Sequence, residues 1–486
     1  MFAGQEIQER TAYNSFNYSP VFDEEHRIVG FPEMDGIDGS EINYNALGGT
    51  GKSVSKMSSF FANASYSYLD KYILTGALRY DGSDIIGNDN QFTPLWNVGL
   101  RLNLHREEFM KRWMWVDQFA VRGGFGYTGS IDKNALPFVV MTLGQSVIYD
   151  GQTVPTSFSY PNPNVKWQTK QDMNVGLDLS LFDYRLELGV NYYHNITRDV
   201  LDRKALPYSS GRSEVTENVA DIYNSGWEID LGVTLLKNKS FQWYAKANIA
   251  INDNKVKNTY YKDTEDLPRA TLSNAHQFVE NQPVNGWYGY KFAGINPING
   301  AVMTYTGNGE ATLDMSVSGA TWPTPSVFYL GNLTPPVVGG FSTSANWKQL
   351  IFSANFEFKT GHKIKSFNTF RSLDARNRHT SEANRWREPG DITNVPAMSE
   401  AFTTYSSYMY DILLEKGNYL RCSYMTLGYN LKPEWLHKIG FSTARLSFTA
   451  KNLFTISSYS GIDPALMGSF GYPNSRKYTI TLNVGF

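Results

Sequence analysis

A single cysteine, Cys422, stands in the 486 residues, which excludes an internal disulfide framework and any cysteine-rich metal site. No uninterrupted apolar run approaches the ~18 residues that a spanning helix needs. With a mean hydropathy of -0.38, this excludes a helical membrane protein. Charge is also scarce, at 19% of residues, against the roughly 25% usual in soluble chains. Lys and Arg number 44 and Asp and Glu 46, a net charge of -2, too balanced for a basic nucleic-acid binder. Met1 to Arg10 show no basic region followed by an apolar one, so no secretory leader is expected in them. Aromatic residues are what the chain has in excess: 11 Trp, 31 Tyr and 29 Phe.

The apolar residues recur with a period of two, the signature of strands. At the end of the chain Tyr478, Ile480, Leu482, Val484 and Phe486 share one face, opposite Thr479, Thr481, Asn483 and Gly485. Between 223 and 235, Tyr223, Ser225, Trp227, Ile229, Leu231, Val233 and Leu235 oppose Asn224, Gly226, Glu228, Asp230, Gly232 and Thr234. A soluble sandwich alternates in the same way, so periodicity alone leaves two architectures open.

Segment lengths separate them, because an outer-membrane barrel needs strands of about 9 to 11 residues joined alternately by tight turns and long loops. Fourteen strands are expected, near 2–10, 57–69, 72–81, 94–105, 117–128, 166–181, 184–196, 223–236, 241–252, 336–347, 350–360, 418–431, 442–452 and 476–486. Long connections fall at 11–56, 82–93, 129–165, 197–222, 253–335, 361–417 and 453–475. Short ones fall at 70–71, 106–116, 182–183, 237–240, 348–349 and 432–441. Seven long loops on one side and six short turns on the other suit a membrane-crossing meander, and a sandwich gives no reason for such one-sidedness. The fold class expected is therefore all-β, a transmembrane antiparallel β-barrel with about 14 strands in this chain. Tyr68, Tyr72, Tyr184, Trp243, Trp347 and Phe486, near strand ends, are candidates for interfacial girdles.

Several motifs suggest chemistry. Ala46 to Ser53 nearly fits a phosphate-binding loop, but that loop needs a strand before it and a helix after it, and here an alternating segment follows. The seven histidines are scattered and form no H-x-x-x-H pair, so no metal site is expected. No G-x-S-x-G elbow occurs, so no catalytic residue, no cofactor and no enzyme activity are expected. Asp81 to Asn90 is rich in oxygen ligands without the spacing of a calcium loop, and reads as a turn.

The polar faces of the strands carry Arg79, Arg122, Lys170, Asp172, Arg185, Glu187, Glu228, Asp230, Lys246, Glu357, Lys359, Arg445 and Lys451, a mixed-sign lining for a barrel interior. A solvated sheet face would carry the same residues. In the long loops, Trp287, Tyr288, Tyr290, Trp322, Tyr329, Trp386, Tyr405, Tyr408 and Tyr410 are the candidates to stack on sugar rings or grip a partner protein.

A series of short segments runs in a fixed order along the chain. They begin with Arg79 to Ser83, Glu108-Phe109, Val121-Arg122, Gly126 to Gly129 and Asn162 to Trp167. They continue through Asn191 to Tyr193, Thr197 to Leu201, Leu206-Pro207, Asn224 to Gly226 and Gly331 to Phe341. The last are Trp386 with Pro389 to Asp391, Tyr419 to Arg421, Asn452 to Phe454, Gly461 to Pro464 and Gly471 to Pro473. In this order and spacing they resemble the C-terminal part of the SusC/RagA family of TonB-dependent outer-membrane transporters, with one departure at Asn218-Val-Ala220, which has Ala where the family usually has Gly. The resemblance implies a 22-stranded barrel around an N-terminal plug, paired with a SusD-like lipoprotein, importing glycans or peptides and energised by TonB. The fourteen strands then fit the last fourteen, with plug and earlier strands outside this chain. The expected setting is the bacterial outer membrane, with lipid and an oligosaccharide or peptide cargo as partners and no nucleic acid. The rival reading is a surface-exposed β-rich binding or adhesion module without transport.

Overall fold

The computed structural model describes the chain outside residues 18–20, 23–27, 31–47, 87–90, 132–140, 150–151, 159–164, 211–213, 265–277, 314–325, 366–382, 398–409, 437–439 and 468–470. Fourteen strands pair in chain order: β1 (Phe2–Asn17), β2 (Gly48–Tyr68), β3 (Tyr72–Ser83), β4 (Phe92–Asn103), β5 (Val116–Ser130), β6 (Gln168–Leu181), β7 (Leu186–Ala205), β8 (Glu214–Lys237), β9 (Phe241–Lys257), β10 (Val337–Trp347), β11 (Leu350–Thr360), β12 (Tyr419–Asn430), β13 (Thr443–Lys451) and β14 (Lys477–Gly485). A short strand, Thr455–Ser457, adds to β12. No described helix is long and apolar enough to cross a membrane.

Each expected strand is present, and several run further than expected. The β1–β2 ladder continues to Asn17 opposite Gly48, and the β7–β8 ladder to Ala205 opposite Glu214. The apolar alternation that marks a strand in sequence stops where hydrocarbon stops, whereas backbone pairing continues into polar surroundings. The Gly51-Lys52-Ser53 end of the near-P-loop is one of these extensions, paired with Asn14, Tyr13 and Ala12. An extended strand directs successive amides to opposite sides and cannot cradle a phosphate.

The chain divides into two compact units. One comprises Met1–Ala64, Gly76–Trp96 and Gly129–Trp167. Within it, Arg79 bonds Asp81 at 2.5 Å, Ser59 Oγ at 3.0 Å and Glu6 at 3.1 Å, while the Trp167 indole donates to the Gln91 carbonyl at 3.1 Å. Tyr80 and Phe92 stack at 5.1 Å over Gly82, where a Cβ would strike the Phe92 ring.

The other unit comprises Ser65–Thr75, Asn97–Thr128 and Gln168–Phe486 and holds the short turns. Leu69 and Asp70 both have positive φ (53° and 54°), and Lys71 N donates to Tyr68 O at 3.0 Å, the geometry of a primed two-residue hairpin turn. At Phe182, Asp183 and Tyr184, three successive positive φ values carry the chain into Arg185, so this turn is longer than the two residues expected. Around these turns lie paired aromatic rings: Tyr68 with Tyr72, Trp113 with Trp115, Trp115 with Phe182 and Phe441 with Phe486. Glu107 takes the Tyr72 hydroxyl at 2.8 Å and the Lys71 ammonium at 3.1 Å, and these two bonds hold its carboxyl below the usual carboxylate range.

One sheet face is apolar and open. Tyr72, Leu74, Trp227, Leu231, Phe341, Leu446, Phe448, Tyr478 and Leu482 are all exposed, with Trp227 at 48% and Ile480 at 75%. A continuous face of this kind far exceeds the apolar patches that water-soluble monomers show. The buried core lies elsewhere, in the long loops. Residues 286–289 pair with 328–332, 292–295 with 302–305, 302–305 in turn with 311–313, and 363–365 with 414–416. Their side chains enclose Tyr261, Val279, Tyr288, Tyr290, Val302, Val327, Tyr410 and Leu413.

Candidate functional site

The polar face of the sheet alternates with the apolar one, and cross-strand register brings its charges together. Asp178 on β6 receives Arg101 of β4 at 2.8 Å and Arg122 of β5 at 3.5 Å. Lys170 lies 2.5 Å from Asp172 on β6, and Lys246 on β9 lies 3.9 Å from Asp230 on β8. Glu228 accepts from Asn191 at 3.2 Å, and the Tyr244 hydroxyl reaches Glu187 at 3.4 Å. Arg185 is exposed at the turn before β7, and Lys359 is exposed at the end of β11. Arg122, Lys246, Asp230, Glu228 and Glu187 thus have partners on other strands, each such open ion pair contributing only about 0.2–1 kcal/mol. They make a wall that is polar, nearly balanced in charge and wettable.

One ion pair differs. Arg421 on β12 and Asp463 in the loop after β13 are both buried, with side-chain exposures of 5% and 8%. Asp463 Oδ1 also accepts the Ala465 N–H at 2.9 Å and so caps the 3-10 turn Pro464–Leu466. Arg421 Nε donates to Thr455 Oγ1 at 3.1 Å, its Nη1 lies 3.7 Å from Glu357, and its guanidinium sits over the Tyr419 ring. The Tyr419 to Arg421 and Gly461 to Pro464 segments, far apart in sequence, are therefore one anchor fixing the last long loop to the sheet. Nothing in the spacing signals this contact.

The loop aromatics separate into different environments. Tyr288 and Tyr290 are 2% and 0% exposed, inside the loop core, so the expectation that they stack on ligand is corrected: their rings hold the loops together. Burial pushes the Tyr288 phenol above its ordinary range. Trp287 packs on Leu330 and Leu414 with its indole donating to Lys363 O at 3.0 Å, and Trp386 packs on the core edge while donating to Pro297 O at 3.1 Å. Trp322 and Tyr408 lie outside the described residues. The same physics that makes an aromatic a good ligand platform, large apolar area with a polar tip, makes it a good loop core. Among the described residues no group of three His, Cys, Asp or Glu is placed to hold a metal ion.

The profile described as "TonB dependent receptor-like, beta-barrel" matches residues 3–357. The chain belongs to this family. Its setting is accordingly the outer membrane, crossed by strands whose open apolar face meets lipid. TonB-dependent receptor P3 of Formosa agariphila is 29% identical over 465 residues, spanning 88% of this chain and 45% of that protein. TonB-dependent receptor SusC of Bacteroides thetaiotaomicron is 23% identical over 453 residues, spanning 88% of this chain and 43% of that one. A structure of the RagAB peptide importer in the open-open state superimposes with a TM-score of 0.78 at 23% identity, covering 100% of this chain and 52% of the matched one. The resemblance to SusC and RagA read from the ordered segments agrees with these relatives. The chain spans about half the length of the curated relatives it matches.

Proposed function

We propose that this chain is the barrel portion of an outer-membrane importer of glycans or peptides, working with a SusD-like surface lipoprotein and energised through TonB. The observation that carries the reading is the pairing of an open apolar face with a mixed-charge polar face on one fourteen-stranded meander. Such a sheet separates hydrocarbon from an aqueous interior. In the described pairings β1 and β14 each have a single neighbour in the main sheet, β2 and β13. Unpaired strand edges are untenable in lipid, and on this reading the remaining barrel strands and the plug belong to the part of the receptor outside this chain. On the same reading residues 1–486 are the C-terminal barrel part of a larger receptor.

The relatives support cargo of the classes their names state: the matched structure is of a peptide importer, and one relative is a SusC. Deletion of the gene segment encoding this chain, followed by growth on single oligosaccharides and on peptide mixtures, tests the proposal. Loss of growth on one class with growth on monomers intact is the expected result. Unchanged uptake of every class, with the protein absent, contradicts it and favours an adhesion module.

A further inference from the structure

The polar face of β10 has little side-chain bulk. Gly340 and Ser342 occupy successive inward positions, opposite Asn248 and Lys246 of β9 and opposite Glu357 and Asn355 of β11. Their small size leaves a groove of about 480 Å³ along the strand, walled by those longer residues and by Lys359, which pairs with Val338. The floor is fixed at this depth, since a Cβ on Gly340 would lie 2.7 Å from the Phe356 carbonyl oxygen.

The charged lining is two ammonium groups, Lys246 and Lys359, and one carboxylate, Glu357, with Lys246 also 3.9 Å from Asp230 of β8 in a pair open to solvent. Glu357 lies 3.7 Å from the buried Arg421 guanidinium, so its charge has a counterion at the wall. Both lysines are exposed. They stand on strands two spacings apart, roughly 10 Å, and their register partners on β10 are four residues apart, roughly 13 Å. The groove therefore runs diagonally between two cationic ends, with Asn248, Ser342 and Asn355 as neutral hydrogen-bonding groups along it.

We propose that this groove is a binding subsite on the lumenal wall for a carboxylate-bearing segment of cargo, with Lys246 and Lys359 as its charge anchors. It rests on the import reading above. The carboxylate comes from a peptide C-terminus or from a uronic acid, and the two are separable by experiment.

The test measures binding to the full receptor that contains this chain, in detergent, using acetyl-tetraalanine as free acid and as C-terminal amide, and digalacturonate as acid and as methyl ester. At least one acid form should bind tenfold or more tightly than its neutral counterpart, and which pair shows the preference names the source. Lys246→Gln with Lys359→Gln should abolish the preference, and Lys246→Arg with Lys359→Arg should retain it, which separates lost charge from lost folding. Ser342→Trp, filling the groove without changing charge, should weaken binding of the preferred acid. Equal binding of acid and neutral forms in both pairs, or a preference that survives the double glutamine variant, overturns the assignment. Uptake of the same probes by cells is read separately: binding without any uptake refutes the import reading and leaves the groove assignment standing, and uptake without acid preference does the reverse.

Discussion

Removing one partner of the Arg421–Asp463 pair should loosen the last long loop at a cost far above that of any other ion pair on the polar face. The two side chains are 5% and 8% exposed, whereas Lys246 and Asp230 are 53% and 58% exposed. Breaking a buried pair by truncating one member costs about 3–5 kcal/mol, because the other charge stays desolvated, while an open pair is worth about 0.2–1 kcal/mol. Arg421→Met leaves Asp463 with only the Ala465 N–H, and should cost about 3 kcal/mol. Asp463→Asn keeps a capping oxygen and leaves Arg421 with Glu357 3.7 Å away, so the loss should be smaller, about 2 kcal/mol. Replacing both, Arg421→Met with Asp463→Leu, should recover much of the loss, since no orphan charge remains. The assay is denaturant unfolding of the receptor refolded into lipid vesicles, compared at constant slope. Single variants within about 1 kcal/mol of the wild type, or a double variant as poor as the worse single, would refute the buried-anchor account.

Other consequences are open to direct measurement. Gly226 on β8 sits where a Cβ would lie 2.3 Å from the Ile251 carbonyl oxygen and 2.5 Å from the Tyr193 hydroxyl, so Gly226→Ala should destabilise the β8–β9 pairing by about 1–3 kcal/mol in the same assay. A neutral result would show that the strand relaxes freely there. His362, buried at the base of the loop after β11, has its pKa lowered by burial and by nearby Lys359. A base depressed in the folded state contributes stability above its unfolded pKa of about 6.5 and loses it as pH falls through the folded value. Exchange of the Gly417 amide, which donates to the His362 carbonyl at 3.0 Å, should therefore accelerate below about pH 6.5 relative to intrinsic exchange, and this acceleration should vanish in His362→Gln. Pro464, itself buried, follows the Asp463 cap and begins the 3-10 turn, and Pro464→Ala should cost less than Asp463→Ala, which removes the cap and the ion pair together.

The sheet was largely legible because a strand between lipid and water must alternate. In Tyr478 to Gly485 every second residue is apolar, and the structure leaves those residues open. Strand ends beyond the hydrocarbon were not legible, since Thr11 to Asn17 and Glu214 to Asp221 pair without an apolar face to mark them. The roles of the loop aromatics are illegible for the opposite reason. Tyr288 and Tyr290 carry no local pattern that distinguishes a loop core from a binding platform, because their burial depends on Val302 and Tyr410, distant in sequence. Arg421 and Asp463 fall in separate segments of the sequence, and only the fold brings the charges together.

The central claim is that hydrocarbon contacts the open apolar face. Spin labels placed one at a time along residues 477–485 of the receptor in bilayers, and read for accessibility to oxygen and to a nickel chelate, test it most directly. Labels at 478, 480, 482 and 484 should favour oxygen, and those at 479, 481 and 483 the chelate, in strict alternation. Uniform chelate accessibility, or exclusion of both reagents at 480 and 482, would contradict it by placing that face in water or against protein.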